Sequence, residues 1–117
     1  MAIQTREHEV ASGAVDLRFD FDKNNMHQAL LAIQIKLSAV PTSTGAVEIT
    51  LKSKRGTSHD VSLFSDDPST GTAVDSYVVT MPDYPLPIEN GDSLQVEYPN
   101  SDNLNFSAVV KYSDSYY

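Results

Sequence analysis

Asp92-Ser-Leu-Gln-Val-Glu-Tyr98, Pro99-Asn-Ser-Asp-Asn103 and Leu104-Asn-Phe-Ser-Ala-Val-Val-Lys-Tyr112 follow one another without a break and read as two strands joined by a tight polar turn. Leu94, Val96 and Tyr98 form one side of the first strand; Leu104, Phe106, Ala108, Val110 and Tyr112 form one side of the second. Side chains of a strand point alternately to its two faces, so a period of two sets one face on a core and the other in water. Tyr98 and Tyr112 fall in register with the apolar residues and are predicted to be structural.

The same alternation runs back through the chain. Over 14–21, Val15, Leu17, Phe19 and Phe21 alternate with Asp16, Arg18 and Asp20. Met26-His-Gln-Ala-Leu-Leu-Ala could open a helix, but Leu31, Ile33, Ile35 and Leu37 alternate with Ala32, Gln34 and Lys36, which predicts a strand over about 27–39. Residues 46–53 turn Val47, Ile49 and Leu51 inward, and Lys54-Arg-Gly-Thr-Ser58 reads as a hairpin turn with Gly56 at positive φ. Val61 and Leu63 alternate on the returning strand, and 76–81 is another. Pro82, Pro85 and Pro87 are expected to hold the next stretch extended and unpaired, with Leu86 and Ile88 packing onto a sheet edge. Residues 1–13 are an N-terminal arm or edge strand, 14–112 a single domain and 113–117 a tail. The expected fold is all-β: an antiparallel β-sandwich of seven to eight strands, jelly-roll or immunoglobulin-like.

At 117 residues the chain has the size of one domain, and with no Trp, no Cys and four Phe its core must be built mostly of Val, Leu and Ile. Without cysteine there is neither a disulfide staple nor thiolate chemistry. A net charge of −8 argues against a nucleic-acid partner, which needs clustered Lys and Arg. The charge is uneven: residues 1–58 hold seven bases and six acids, whereas 59–117 hold Lys111 and ten acids. Such asymmetry fits an acidic surface facing solvent or a basic partner. Met1-Ala-Ile-Gln-Thr-Arg-Glu-His-Glu9 lacks the apolar segment of a signal peptide, and no apolar run reaches membrane-spanning length, so a protein made in a cytoplasm, with no membrane partner, is expected.

No catalytic pattern emerges, and no enzyme activity is expected. His8, His27 and His59 lack metal-ligand spacing, and the serines form neither a nucleophile elbow nor a phosphate loop. Asp20, Asp22 and Asn24 match the opening of a calcium loop, but Asn25 replaces its glycine and Leu31 its closing Glu, so no metal or cofactor is assigned. Lys54 and Arg55, in the only basic cluster, could plug into an acidic groove or could guard a strand edge against aggregation. Tyr84, Tyr116 and Tyr117 lie outside the strand pattern and suit contacts, since Tyr joins an apolar face to a hydrogen-bonding tip.

The run Pro85-Leu-Pro-Ile-Glu-Asn-Gly-Asp92, a strand, Tyr98-Pro-Asn-Ser-Asp-Asn103 and a closing strand resembles the small β-sandwich virion proteins of tailed bacteriophages. The resemblance implies a capsid decoration (cement) protein that binds the outer capsid surface and stabilises it, or a tail or head–tail accessory protein. It implies assembly in the host cytoplasm into a virion, self-association (a trimer favoured) and docking on the major capsid protein or another virion protein. On that reading Ile3, Arg6, Lys54, Arg55, Tyr84, Tyr116 and Tyr117 are the expected contacts. A non-catalytic carbohydrate-binding module using exposed Tyr and loop acids is the alternative.

Overall fold

The computed structural model describes residues 3–21, 28–70, 74–81 and 86–113. Among these are nine strands: β1 (Ile3–Val10), β2 (Val15–Phe21), β3 (Gln28–Leu37), β4 (Val47–Lys52), β5 (Val61–Asp66), β6 (Ser76–Thr80), β7 (Leu86–Ile88), β8 (Asp92–Tyr98) and β9 (Phe106–Ser113). One antiparallel sheet has the order β1-β9-β3-β6, with β7 pairing the same strand β3; the other has the order β2-β8-β4-β5. The chain is thus an all-β sandwich. Its pairings nest: β1 with β9, β2 with β8, β3 with β6 and β7, β4 with β5. A long hairpin rolled into two sheets gives this nesting, so of the two expected topologies the jelly roll is the one formed.

Between the sheets lie the residues that the alternation assigned inward. Ile33, Ile35, Leu37, Phe106, Ala108 and Val110 from one sheet meet Phe19, Phe21, Val47, Ile49, Leu94 and Val96 from the other, all at most 1% exposed. Tyr98 stacks on Phe106 at 5.9 Å and Phe21 meets the Tyr112 ring edge-on at 5.3 Å, so both tyrosines are core residues. Each fully buried side chain of this kind contributes about 1.5–3 kcal/mol, the main stabilising term in a chain without disulfides.

Four expectations need correction. The two strands of the opening stretch do not pair. β8 lies between β2 and β4, and β9 lies between β1 and β3, so residues 99–105 cross from one sheet to the other. Residues 86–88 are paired with Gln28–Leu30, not unpaired; Pro87 is tolerated because β7 is an edge strand with no further neighbour among the described residues for its missing N–H. The phase predicted for β3 slips, because Leu31 is an extra residue in its pairing with β9. Ala29 and Leu30 are therefore buried where strict alternation put Leu31 inward. In β5 Leu63 is the extra residue; Phe64 faces inward beside it, and Val61 remains 45% exposed. Gly56 does adopt φ +113, leading into a short 3-10 turn at Thr57–His59.

The flanks of the sandwich are sewn together by side chains. Beside β1, the Arg6 guanidinium lies 5.6 Å from the Phe21 ring centroid and donates to the Asp20 carbonyl, while His8 packs on Phe19 at 4.6 Å. Beside β6, Tyr77 donates to Asp66 at 2.6 Å and meets Phe64 edge-on at 4.9 Å.

The sheet-to-sheet crossing is held by Asn100, which is 2% exposed. Its Nδ2 donates to the carbonyls of Gly13 (2.8 Å) and Leu104 (2.9 Å), and its Oδ1 accepts from Leu104 N (3.0 Å). Its φ is +53, a left-handed conformation that Asn adopts more readily than most residues. Asn100→Gly is expected to lose about 2–3 kcal/mol, since buried backbone groups are left unpaired. Asn100→Ala is expected to lose about 1 kcal/mol more, because a Cβ resists the left-handed backbone. Urea unfolding of the two variants beside the parent measures both terms.

Candidate interaction surfaces

The two ends of the sandwich differ in kind. At the first end, connections 11–14, 38–46 and 99–105 and residues 67–70 converge on three side chains. Asn100 holds 11–14 to 99–105. Asp102 accepts from Thr42 N (2.7 Å), Ser43 N (3.1 Å) and Ser43 Oγ (2.6 Å), tying 38–46 to 99–105. Asp67 accepts from Gly45 N (3.1 Å), Ser69 N (2.9 Å) and Ser69 Oγ (2.7 Å), tying 67–70 to 38–46. These donors favour the charged carboxylates. The Ser43 hydroxyl, with the Ser43 and Thr42 amides, holds Asp102 down to about 2, and Ser69 foremost lowers Asp67. Burial, with the charges of Asp102 and Asp67, raises the Tyr98 phenol.

At the second end, Asp92 is 5% exposed and accepts from Lys54 N (3.0 Å) and Glu89 N (3.0 Å). Gly91 N donates to the Phe21 carbonyl at 2.6 Å. Gly91 sits at φ +96, and a Cβ there would press to 3.1 Å on the Lys54 stem, so glycine suits both the backbone and the packing. Arg55 pairs with Glu89 at 2.9 Å, and Lys52 with Asp60 at 3.6 Å.

Charge is segregated along this axis. Towards the first end stand eight carboxylates (Glu9, Asp16, Glu48, Asp66, Asp67, Asp75, Glu97 and Asp102) with one base, Lys36. Towards the second, among the described residues, Arg6, Lys52, Lys54, Arg55 and Lys111 stand with Asp20, Asp60, Glu89 and Asp92. Asp16, Glu97 and Glu48 stand directly opposite one another on three adjacent strands, all exposed, along an open groove of about 440 Å³ that Tyr98 and Pro99 also line. Like charges in that arrangement oppose folding, and within the row Asp16 accepts from Gln95 Nε2 at 2.8 Å. Among the described residues no three His, Cys, Asp or Glu are placed to hold a metal ion.

The expected contact residues divide. Ile3 is 61% exposed at the start of β1, opposite Ser113. Arg6 is half-buried against Phe21 and serves the flank. Lys54 and Arg55 are exposed at the second end, the latter in its ion pair. Tyr84, Tyr116 and Tyr117 lie outside the described residues. Ile3, Lys54 and Arg55 thus share one end, which the sequence did not show. The acidic row was also missed: each acid is visible as an outward residue, but their adjacency depends on β8 lying between β2 and β4. The described tyrosines Tyr77, Tyr98 and Tyr112 are buried or half-buried, whereas the carbohydrate-binding alternative called for exposed ones.

This is a jelly-roll sandwich with clasped ends and a charge axis. The crystal structure of PirA is similar to it, with a TM-score of 0.50 over 92% of each chain at 10% identity. The structure of infectious bursal disease virus Gx strain aligns with 97% of this chain, which spans 32% of the viral chain, with a TM-score of 0.35 at 10% identity. At such identities the likeness concerns the fold alone. No protein-family profile matches the chain, and no curated protein matches it in sequence.

Because the native state lowers the Asp102 pKa from 3.8 to about 2, protonation opposes folding. The stabilising effect is complete above about pH 4 and is lost as pH falls towards 2. Asp102→Asn is expected to remove this part of the acid sensitivity while lowering stability at neutral pH. Unfolding curves for parent and variant at steps between pH 7 and pH 2 check it.

Proposed function

We propose that the chain is a non-catalytic structural protein of a virion, of the decoration or cement class, that seats its second end on the outer surface of a capsid and turns its acidic end to solvent. The charge axis carries this reading. Among the described residues the second end brings the exposed pair Lys54 and Arg55 forward, against Lys36 alone at the first, and exposed Ile3 lies at the same end as the pair. The acidic end would keep the outer surface of the particle soluble and repel further copies. The buried polar side chains Asn100 and Asp92 are engaged in holding connections, an arrangement suited to a rigid plug. The resemblance of residues 85–112 to phage β-sandwich proteins points the same way.

Mechanistically, Lys54 and Arg55 would meet carboxylates at the junction of capsid subunits, and Ile3 would bury apolar surface beside them. A protein bound only to the assembled shell stabilises it by mass action. The test is cosedimentation with shells assembled from the major capsid protein of the same genome, followed by thermal melting of the shells. The Lys54→Glu/Arg55→Glu double variant is expected to bind roughly tenfold more weakly, since each exposed contact contributes about 1 kcal/mol or less. Binding by the parent should weaken as salt rises through the range where the Debye length shrinks below about 10 Å. Undiminished binding by the double variant would refute the proposed seat.

A further inference from the structure

We propose that the edge of β6 left open among the described residues pairs with β6 of a second copy about a two-fold axis, joining two sandwiches through one continuous sheet.

An open strand edge is a template for another strand unless something guards it. Three of the sandwich's edges are guarded among the described residues. β1 carries Arg6, Glu7 and Glu9; β2 carries Asp16, Arg18 and Asp20. β5 has its pairing interrupted at Leu63 and ends on Asp66. The fourth edge is shared by β7, which Pro87 protects, and by β6. Ser76-Tyr-Val-Val-Thr80 has neither charge, proline nor irregularity. At its centre Val78 is 67% exposed, the most exposed large apolar side chain among the described residues.

The backbone is correctly poised. Leu37 N donates to the Asp75 carbonyl and Met81 N to the Leu31 carbonyl, while Ile35 faces Tyr77 and Ile33 faces Val79. In an antiparallel ladder the bonded positions alternate, so the odd-numbered residues turn their N–H and C=O to β3. Ser76, Val78 and Thr80 therefore turn theirs outward, away from the sheet. A two-fold axis along the sheet normal at Val78 sets Val78 opposite its own counterpart and Ser76 opposite Thr80, each pair exchanging both backbone bonds. Tyr77 then faces Val79. No like charges meet, the Ser–Thr pairs can hydrogen-bond across strands, and the two exposed valines cover each other. The same operation on β1 is disfavoured, because its two longest same-face registers oppose Arg6 to Arg6 or Glu7 to Glu7. The β6 edge carries no charge at all and alone joins that to a strongly exposed apolar residue, Val78.

Five paired residues span about 17 Å, and the contact is smaller than the roughly 800 Å² per partner of a stable complex. The dimer is accordingly a weak one, with dissociation in the range of roughly 10–100 μM. It is distinct from the three-fold association implied by the phage resemblance, and it does not rest on capsid docking.

Sedimentation velocity of the protein alone, from about 1 to 500 μM, tests the pairing. The parent is expected to pass from monomer to dimer, and Val78→Lys to remain monomeric throughout, with an unchanged circular dichroism spectrum. Thr5→Lys, on the opposite edge, should dimerise like the parent. Because the chain has no cysteine, Val78→Cys and Thr5→Cys each offer a single thiol to a short bis-maleimide; only the former should yield cross-linked dimer. That second readout decides the matter should Val78→Lys fail to fold. A parent that stays monomeric, a trimer that persists in Val78→Lys, or equal cross-linking at the two cysteines would overturn the inference.

Discussion

The Asn100 carboxamide takes three hydrogen bonds where the chain leaves the middle of one sheet for the middle of the other, and both sheets depend on that crossing. β8 has strands on both sides, and so does β9, so residues 99–105 fix the relative position of two central strands. A slip of one residue in either would turn its whole apolar face to solvent. Asn100 prevents this by binding its own chain four residues on and by anchoring the crossing to Gly13, where β1 turns into β2. Disulfides often do such work in small sandwiches. In this cysteine-free chain it falls to short polar side chains: Asn100, Asp102 and Asp67 at one end, Asp92 at the other.

How far the sequence could be read follows from which interactions are local. Strand positions and buried faces were legible where alternation is unbroken, as in Val15–Phe21, Val47–Lys52 and Asp92–Tyr98. It failed at Leu31 and Leu63, where an inserted residue shifts the phase and nothing in residue type marks the place. Pairing was not legible, because β8 and β9 are adjacent in sequence yet belong to different sheets, while β1 finds its partner at the far end of the chain. The surfaces inherit that limit. Lys54 and Arg55 were recognisable as an exposed cluster, but Arg6 looked free until the fold brought Phe21 beneath it. The row Asp16, Glu97, Glu48 exists only because three distant segments lie side by side.

The uneven charge of the two halves of the sequence becomes an axis in three dimensions. Connections at one end are rich in Asp, partly because Asp caps turns and receives backbone N–H groups, as Asp67 and Asp102 do. Asp16, Glu48 and Glu97 have no such duty and add charge at a cost in stability. A molecule polarised in this way approaches a surface with a preferred orientation, which suits a protein that sits one way up on a larger assembly.

The nesting of strand pairs also has a consequence for how the chain is made. β4 and β5 are neighbours in sequence, whereas β1 cannot pair until β9 has left the ribosome. For most of the time of synthesis β1, β2 and β3 wait without their final neighbours. Charges on β1 and β2 keep those waiting segments soluble. β3 has no such protection over Ala29-Leu-Leu-Ala-Ile33, whose eventual covers β6, β7 and β9 are all translated later. That segment is where a nascent chain of this protein most needs a chaperone.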